Sequence, residues 1–242
     1  MIKNFRVSIV SFLIHINESI FFYPKLTKVY KKLFPNSTLS IAIDVGVNKG
    51  QTIKFFKKFN SKIFIVGFEP HQTLFSRLIN NKTFKNCEFY NLGCSNNNGE
   101  LLFKENILSE SSTFEEVNEN SRWLKKKEAV LGLKQTDLIQ KTYKVQTIRL
   151  ADFIQNNLNN KIIDILKIDV EGHEINVLKG LFPLYSQKFL RYIQIENHFD
   201  DLYEDFTKEI EVLLNLNGFK KEFIIKHGFG NIVDVIYKNT HL

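Results

Sequence analysis

Residues 41–50 read IAIDVGVNKG, an apolar run that ends in Asp44 and passes through Gly46 into Gly50. A short apolar run followed by glycines is typical of a buried strand, and the helical spacing of residues 50–59 predicts a helix directly behind it. Glycines at such a turn let the backbone approach a ligand without a Cβ clash. The stretch therefore predicts a strand, a turn able to bind a ligand, and a helix.

Two further strands are predicted next along the chain. Residues 62–68 are apolar, residues 71–80 have helical spacing, and residues 87–92 are predicted as the third strand. Strands joined by helices require a parallel sheet with right-handed crossovers. The first half of the domain is therefore predicted to be a βαβαβ unit.

The second half repeats this alternation and then ends differently. Further strands are predicted over residues 162–170, 192–195, 221–225 and 232–237, and helices over residues 152–158, 174–181 and 206–216. The last two strands flank the sequence HGFGN, and that spacing predicts a hairpin. The pattern as a whole predicts a doubly wound, mostly parallel α/β sheet closed by an antiparallel hairpin.

Two segments lie outside this alternation. Residues 1–39 contain two apolar stretches split by Pro24, which predicts a helical lead-in to a domain over residues 40–242. Between the third strand and residue 152 the rhythm breaks, and we expect an inserted hairpin with a mobile excursion. This insertion, at about residues 104–142, is predicted to act as a lid over the site.

Charge and cysteine usage bound the partners and the compartment. The net charge of +7 is moderate and the lysines are scattered, so no nucleic-acid partner is expected. Cys87 and Cys94 are an odd number of residues apart, which places them on opposite faces and disfavours a disulfide. We therefore expect a cytoplasmic protein.

The N-terminus raises the question of a membrane. Lys3 and Arg6 precede an apolar run over residues 7–14, which at roughly eight residues is too short to span a bilayer. We expect a helix that packs on the domain or lies against a membrane surface.

Two acids at predicted strand ends indicate the cofactor. Residues 44–50 follow the pattern D-x-G-x-N-x-G rather than G-x-G-x-x-G, and an acid ahead of the glycines would repel a pyrophosphate. It would suit the amino group and sulfonium of S-adenosylmethionine, although a tight turn without a ligand remains open. Glu69, at the end of the next strand, can accept hydrogen bonds from both ribose hydroxyls, and Pro70 helps to end that strand. Together the two acids favour an adenosyl cofactor.

A third group of polar residues follows the central strand. Residues 165–174 read ILKIDVEGHE, which brings three carboxylates and one imidazole within six residues. Such a cluster is costly unless a cation or a proton-transfer step uses it, although Lys167 could neutralise part of the charge. The alternative is a solvated loop in which Glu171 and Glu174 favour the N-terminus of the following helix.

These three motifs resemble the FkbM-type S-adenosylmethionine-dependent methyltransferases, and the resemblance runs from about residue 41 to residue 198. It implies the class I methyltransferase fold, a Rossmann-like, seven-stranded, mostly parallel sheet with a C-terminal antiparallel hairpin. The first motif of the family holds the methionine part of the cofactor and the second holds the ribose. By that resemblance the cofactor-binding residues are Asp44, Gly46, Asn48, Gly50, Glu69, Ser95, Asn96 and Asp169.

The chain departs from the family pattern at two places. Asn96 stands where the family has an acid after the third strand, and its amide oxygen can still accept a hydrogen bond from the adenine amino group. Ala151 precedes Asp152 where the family commonly has two acids, which leaves Asp152 as a candidate helix cap.

The candidate catalytic residues lie at the ends of the central strands. Asp169 is the first candidate, as a general base or as a ligand for a divalent cation. Glu171, His173 and His198 are the further candidates, and adjacent parallel strands would bring Glu196 and His198 toward the same crevice. A bound cation, if the enzyme uses one, would be held by Asp169, Glu171 and Glu196.

The resemblance implies O-methylation of a hydroxyl on a sugar, a glycan, a lipid or a secondary metabolite. Two other classes stay open at this point. One is a non-catalytic, methyltransferase-like scaffold protein, and the other is an enzyme that binds a nucleotide sugar or a dinucleotide. The oligomeric state is not indicated by the sequence.

Overall fold

The computed structural model describes residues 2–158, 161–186, 188–198, 201–228 and 232–242. The described helices are α1 (Ile2–Asn17), α2 (Tyr23–Leu33), α3 (Gln51–Phe59), α4 (Gln72–Ile79), α5 (Arg122–Leu131), α6 (Gln135–Leu138), α7 (Leu150–Asn157), α8 (Glu174–Lys179) and α9 (Thr207–Leu216). The described strands are β1 (Ile41–Val45), β2 (Phe64–Phe68), β3 (Cys87–Tyr90), β4 (Gly93–Ser95), β5 (Gly99–Asn106), β6 (Ile139–Arg149), β7 (Ile163–Ile168), β8 (Leu190–His198), β9 (Phe219–Lys226) and β10 (Ile232–Asn239).

The main sheet has seven strands in the order β3-β2-β1-β7-β8-β10-β9. The first five of these pair in parallel, whereas β10 pairs antiparallel with both β8 and β9. The doubly wound, mostly parallel sheet with a C-terminal hairpin, predicted from the sequence, is therefore confirmed. The loop between β9 and β10 falls partly outside the described residues.

Each face of the main sheet is covered by its own apolar cluster. On one face Phe153, Ile175 and Ile210 pack from α7, α8 and α9, and on the other Leu26 and Ile53 pack from α2 and α3. All six residues of the central strand β7 are buried, as expected of a parallel strand covered on both faces. The ends of the central strands are consequently held in fixed positions.

The lead-in helices are part of this packing. Helix α1, a π-helical turn over Glu18–Phe22 and helix α2 follow one another without a break, although the sequence predicts a split at Pro24. Pro24 is the second residue of α2 and directly follows the π-helical turn, where the regular α-helical hydrogen-bond pattern is interrupted. Tyr30 is fully buried and its hydroxyl donates to Gln194 Oε1 at 2.5 Å.

The insertion forms a small unit beside the main sheet. Strands β5 and β6 pair antiparallel as the predicted hairpin, and β4 joins them in a three-stranded sheet. Helix α5 lies where the sequence predicts a polar excursion, because only Leu124 and Leu131 of its ten residues are buried and the apolar spacing is weak. Ser121 begins the helix by accepting a hydrogen bond from the Leu124 N–H. A separate apolar cluster joins this unit to Val7 and Val10 of α1.

Candidate cofactor and acceptor site

A cleft lies across the carboxyl ends of β1, β2, β7 and β8. One wall comes from the turn after β1, from residue 69 and from residues 92–94. The opposite wall comes from the lead-in helices, at Glu18, Phe22, Tyr23 and Leu26, and from the insertion, at residues 109–114. The first wall contains the first two sequence motifs and is called the motif wall. The second wall, to which His227 also belongs, contains neither motif and is called the acceptor wall.

Glu69 occupies the end of β2 and lines the cleft. Its Oε2 accepts from the Asn48 N–H at 2.6 Å and its Oε1 from the His71 N–H at 2.8 Å. Burial raises the pKa of Glu69 to about 7, although these two hydrogen bonds oppose the shift. Each carboxylate oxygen can accept more than one hydrogen bond, so Glu69 retains capacity for two ligand hydroxyls.

The turn after β1 is shaped by unusual backbone angles. Gly46 has φ +89°, and a Cβ at this position would lie 1.8 Å from the carbonyl oxygen of Asp169. Glycine is therefore required for the close packing of this turn against the end of β7. Asn48 has φ 51°, a left-handed conformation that asparagine tolerates, and its N–H points to Glu69. Gly50 likewise has φ +80° and packs against Phe84.

Asp44 lies beneath this turn and does not line the cleft. It is fully buried, and neither carboxylate oxygen has a hydrogen-bond partner among the described residues. Burial raises its pKa to about 7, while the positive charge of Lys167 opposes the shift. An unpartnered buried carboxylate destabilises the fold by about 1–3 kcal/mol. A cation held next to the turn would offset this destabilisation.

Asp44 belongs to a row of polar residues on one face of the sheet. The other members are Lys167 on β7, Gln194 on β8 and Asp234 on β10, all buried. Lys167 is the register partner of Asp44 on one side and of Gln194 on the other. Gln194 donates to Asp234 and accepts from the Tyr30 hydroxyl. The sequence signal for this row is a polar residue with an apolar neighbour on each side in each of the four strands.

The predicted cluster of acids at the end of β7 does come together. One carboxylate oxygen each from Asp169, Glu171 and Glu196 lies within 4.8 Å of the others. Lys167 Nζ lies 2.6 Å from Asp169 Oδ2. Burial would lower the pKa of Lys167, but the carboxylates of Asp169, Asp234 and others outweigh burial and raise it well above its usual range. Lys167 is therefore a cation that balances part of the acidic cluster.

His173 faces away from the cleft. It is buried, with Nδ1 2.5 Å from Glu115 Oε1 of the insertion and Nε2 3.0 Å from Ser95 Oγ. Hydrogen bonding from His173 lowers the pKa of Glu115. Glu174 accepts from two backbone N–H groups of its own loop. These contacts fasten the loop after β7 to the insertion.

The remaining predicted site residues are placed as follows. Ser95 is turned to His173, and Asn96 is exposed, so among the described residues of β4 it is Gly93 and Cys94 that line the cleft. Asp152 lies in the first turn of α7 and accepts from Asn98. His198 ends β8, and its side chain falls outside the described residues.

The acceptor wall contains a histidine, His227, which the sequence places in the predicted hairpin loop. His227 lines the cleft, with Nε2 2.6 Å from Asp234 Oδ1 and its ring stacked on Phe22 at 3.9 Å between centroids. Burial would lower its pKa, but the hydrogen bond to Asp234 and the charge of Glu196 outweigh burial and raise it. Glu18 faces the same space, and burial together with Glu196 raises its pKa to about 7.

A seven-stranded sheet ending in an antiparallel hairpin, with a strand-end acid in a cleft beside a glycine turn, defines a class I methyltransferase fold. The chain matches the family model of the methyltransferase FkbM domain over residues 44–221. It belongs to the FkbM methyltransferase family, as the motif resemblance predicts.

Several known proteins are similar to this chain in sequence or in fold. "Methyltransferase 1" of Beauveria bassiana (strain ARSEF 2860) is 30% identical over 155 residues, which cover 61% of this chain and 60% of that protein. The chain thus spans less than two thirds of this relative. The human methyltransferase 10 domain containing protein aligns with a TM-score of 0.47 and 11% identity, over 90% of this chain and 81% of its own. A putative methylase, HI0767 of Haemophilus influenzae, aligns with a TM-score of 0.47 and 13% identity, over 90% and 98%.

Proposed function

We propose that the protein transfers a methyl group from S-adenosylmethionine to a hydroxyl of its acceptor. The observation that carries the proposal is Glu69, a buried carboxylate that lines the cleft and is fixed by two backbone hydrogen bonds. Membership of the FkbM family supports the same reaction class.

The residues of the motif wall fit this cofactor. Glu69 would accept hydrogen bonds from the ribose hydroxyls, and the turn from Gly46 to Asn48 offers backbone against the methionine part. The unpartnered charge of Asp44 and the acids Asp169 and Glu171 favour a cationic ligand over an anionic one. Bound S-adenosylmethionine supplies an electrophilic methyl group on a sulfonium, with a neutral thioether as the leaving group.

The acceptor half must position a hydroxyl and remove its proton. Asp169 and His227 are the groups of the cleft that we propose as proton acceptors, since each has a second residue that fixes it, Lys167 and Asp234 respectively. When Nε2 of neutral His227 donates to Asp234, Nδ1 is left to accept a proton. Positioning of the two reactants is expected to supply much of the rate.

The chemistry of this wall favours an acceptor with several hydroxyls. The aromatic rings of Phe22 and Tyr23 lie beside the carboxylates of Glu18 and Glu196, all in the lining of the cleft. The half-buried ring of Tyr23 next to hydrogen-bond acceptors suits a sugar or a glycan carried on another molecule. A hydroxylated lipid or secondary metabolite also carries an acceptor hydroxyl.

A separate question is whether methyl transfer at this site depends on a divalent cation. Asp169, Glu171 and Glu196 are the residues that would coordinate one, as the sequence predicts. Lys167 already supplies a positive charge next to Asp169, so the proposed reaction does not require a metal. Methyl transfer measured with EDTA and with added Mg²⁺ decides this: activity that survives EDTA assigns the charge balance to Lys167, and activity restored only by Mg²⁺ assigns it to a cation.

Isothermal titration calorimetry with S-adenosylmethionine and with NAD⁺ tests the proposal. We expect binding of S-adenosylmethionine alone, because the acidic cleft disfavours a pyrophosphate. Binding of NAD⁺ instead would favour a dinucleotide enzyme, and binding of neither would favour a scaffold protein. A mass-spectrometric search for extract components that gain one methyl group with the purified protein then identifies the acceptor.

A further inference from the structure

The outward side of the lead-in helices carries a stripe of exposed apolar side chains. Ile9 is 42% exposed, Phe12 62%, Leu13 52%, Ile20 58% and Phe21 48%. The first three are spaced three and four residues apart, so they lie on one side of α1. Exposed large apolar residues elsewhere on the described surface are scattered over several elements, so the stripe is a distinct feature.

The opposite side of the same helical run is committed to the fold. Val7 and Val10 pack against the apolar cluster of the insertion, and Phe22, Leu26 and Tyr30 are buried against the main sheet. A rotation of the helices that buried the stripe would therefore expose these packed residues. The described residues leave each of the five side chains at least 42% exposed.

The stripe continues into a run of exposed lysines. Helix α2 contains Lys25, Lys28, Lys31 and Lys32 and no acidic residue, and all four are exposed. Because the inward side of α2 is buried, Lys28, Lys31 and Lys32 lie on its outward side, as the stripe does, whereas Lys25 Nζ donates to the Lys226 carbonyl oxygen at 3.0 Å. An apolar stripe next to a basic segment complements the surface of an anionic bilayer, where each lysine adds attraction to lipid headgroups.

We propose that the outward side of α1, the π-helical turn and α2 docks the protein on an anionic lipid membrane, with the apolar stripe inserted among the headgroups. By length and composition the run Arg6–Leu33 could also cross a membrane. The structure favours the in-plane arrangement, because crossing would require Tyr30 to leave its hydrogen bond to Gln194 and Val10 to leave its cluster.

Docking in this orientation places the cleft close to the lipid. Glu18 and Phe22, which line the cleft, belong to the same helical run as the stripe, so about one helix diameter, roughly 10 Å, separates the cleft wall from the headgroups. It follows, resting on the proposed methyl transfer, that the acceptor hydroxyl is carried at the membrane surface. The docking itself does not depend on the reaction.

Vesicle sedimentation with the full chain tests the docking. We expect binding to vesicles of equal parts phosphatidylcholine and phosphatidylglycerol, weaker binding to phosphatidylcholine alone, and a further loss as salt is raised. The double substitution Phe12→Glu and Leu13→Glu should weaken binding at least about tenfold, because both side chains would leave the bilayer. Substituting Lys28, Lys31 and Lys32 by glutamine should remove the preference for the anionic lipid.

The matched control is Val212→Glu with Leu216→Glu, two exposed apolar residues on α9. This variant should bind vesicles as the unsubstituted chain does. Equal binding by the Phe12 and Leu13 variant would overturn the proposal, as would binding that resists alkaline carbonate, which indicates a spanning helix. A lipid-free dimer that becomes monomeric in the Phe12 and Leu13 variant would assign the stripe to a second copy of the chain instead.

Each variant is first checked for S-adenosylmethionine binding by calorimetry, which separates this test from the proposed function. Vesicle binding without cofactor binding would sustain the docking and reject the methyl transfer. Cofactor binding without vesicle binding would reject the docking and leave the proposed methyl transfer in place.

Discussion

The two walls of the cleft are built in different ways. The motif wall consists of the turn after β1 and the end of β2, where Glu69 is fixed by backbone hydrogen bonds and Gly46 packs on the backbone of Asp169. The acceptor wall is assembled from distant segments, with Phe22 from the lead-in stacked on His227 from the C-terminal hairpin. One wall is encoded in short contiguous motifs, and the other arises only from the fold.

This difference assigns separate tasks to the two walls. A contiguous strand-end motif presents the same groups in many relatives and suits a shared cofactor. Segments that meet only in three dimensions can change one at a time and suit an acceptor that differs between proteins. Substitutions in the two walls should therefore alter different measured quantities.

The largest expected effect belongs to the acceptor wall. His227→Asn should lower the rate of methyl transfer about a hundredfold, the range expected when a general base is removed. The affinity for S-adenosylmethionine should stay within about twofold, because among the described residues of the motif wall none bonds to His227. The measurement uses saturating cofactor and the acceptor found by the mass-spectrometric search.

Two observations control the His227 experiment. His241→Asn, at an exposed histidine outside the cleft, should change neither quantity. In the unsubstituted protein the rate should rise with pH through the raised pKa of His227, and this rise should be absent in His227→Asn. A rate that is unchanged by the substitution leaves Asp169 as the proton acceptor.

A smaller effect is expected at Asp44, beneath the motif wall. Its raised pKa means that folding disfavours the carboxylate, so its unfavourable contribution is absent below the usual pKa of an aspartate and complete above about 7. Asp44→Asn should therefore increase the free energy of unfolding by about 1–3 kcal/mol near pH 8 and by little near pH 4.5. Affinity for S-adenosylmethionine should fall about tenfold, because a nearby negative charge is lost.

Thermal unfolding at the two pH values and calorimetry measure both changes. The exposed substitution Glu119→Gln, outside the cleft, serves as the control for a change of charge alone. A loss of stability at both pH values would show that Asp44 makes a favourable contact in the folded protein.

The sequence predicted the turn after β1 and the strand end at Glu69, whereas the predicted cofactor residues Asp44, Ser95 and Asn96 do not line the cleft. Glycines after an apolar run indicate a tight turn, and this predicted the turn after β1. The position of Glu69 followed from the end of the next apolar run at Pro70. The mostly parallel sheet and its antiparallel hairpin followed from alternating strands and helices and from the hairpin signal. The clustering of Asp169 with Glu171 and Glu196 also followed, because neighbouring parallel strands end at one edge.

The acceptor wall could not be predicted because its contacts join residues far apart in the chain. Nothing near Phe22 indicates His227, and the burial of Tyr30 depends on a helix crossing the sheet. His173 illustrates the opposite limit: it stands in the third motif, yet its ring is turned to Glu115 of the insertion. A motif locates a residue on the backbone and leaves open which way the side chain points.

The affinity of Glu69→Ala for S-adenosylmethionine and for methylthioadenosine tests the central claim most directly. The two ligands share the ribose, and the second lacks the amino-acid part. If Glu69 holds the ribose, both affinities fall by more than about tenfold and by a similar factor, while Glu100→Ala, at an exposed strand residue, leaves both unchanged. Unchanged affinity of Glu69→Ala for both ligands would contradict the assignment of this cleft to the cofactor.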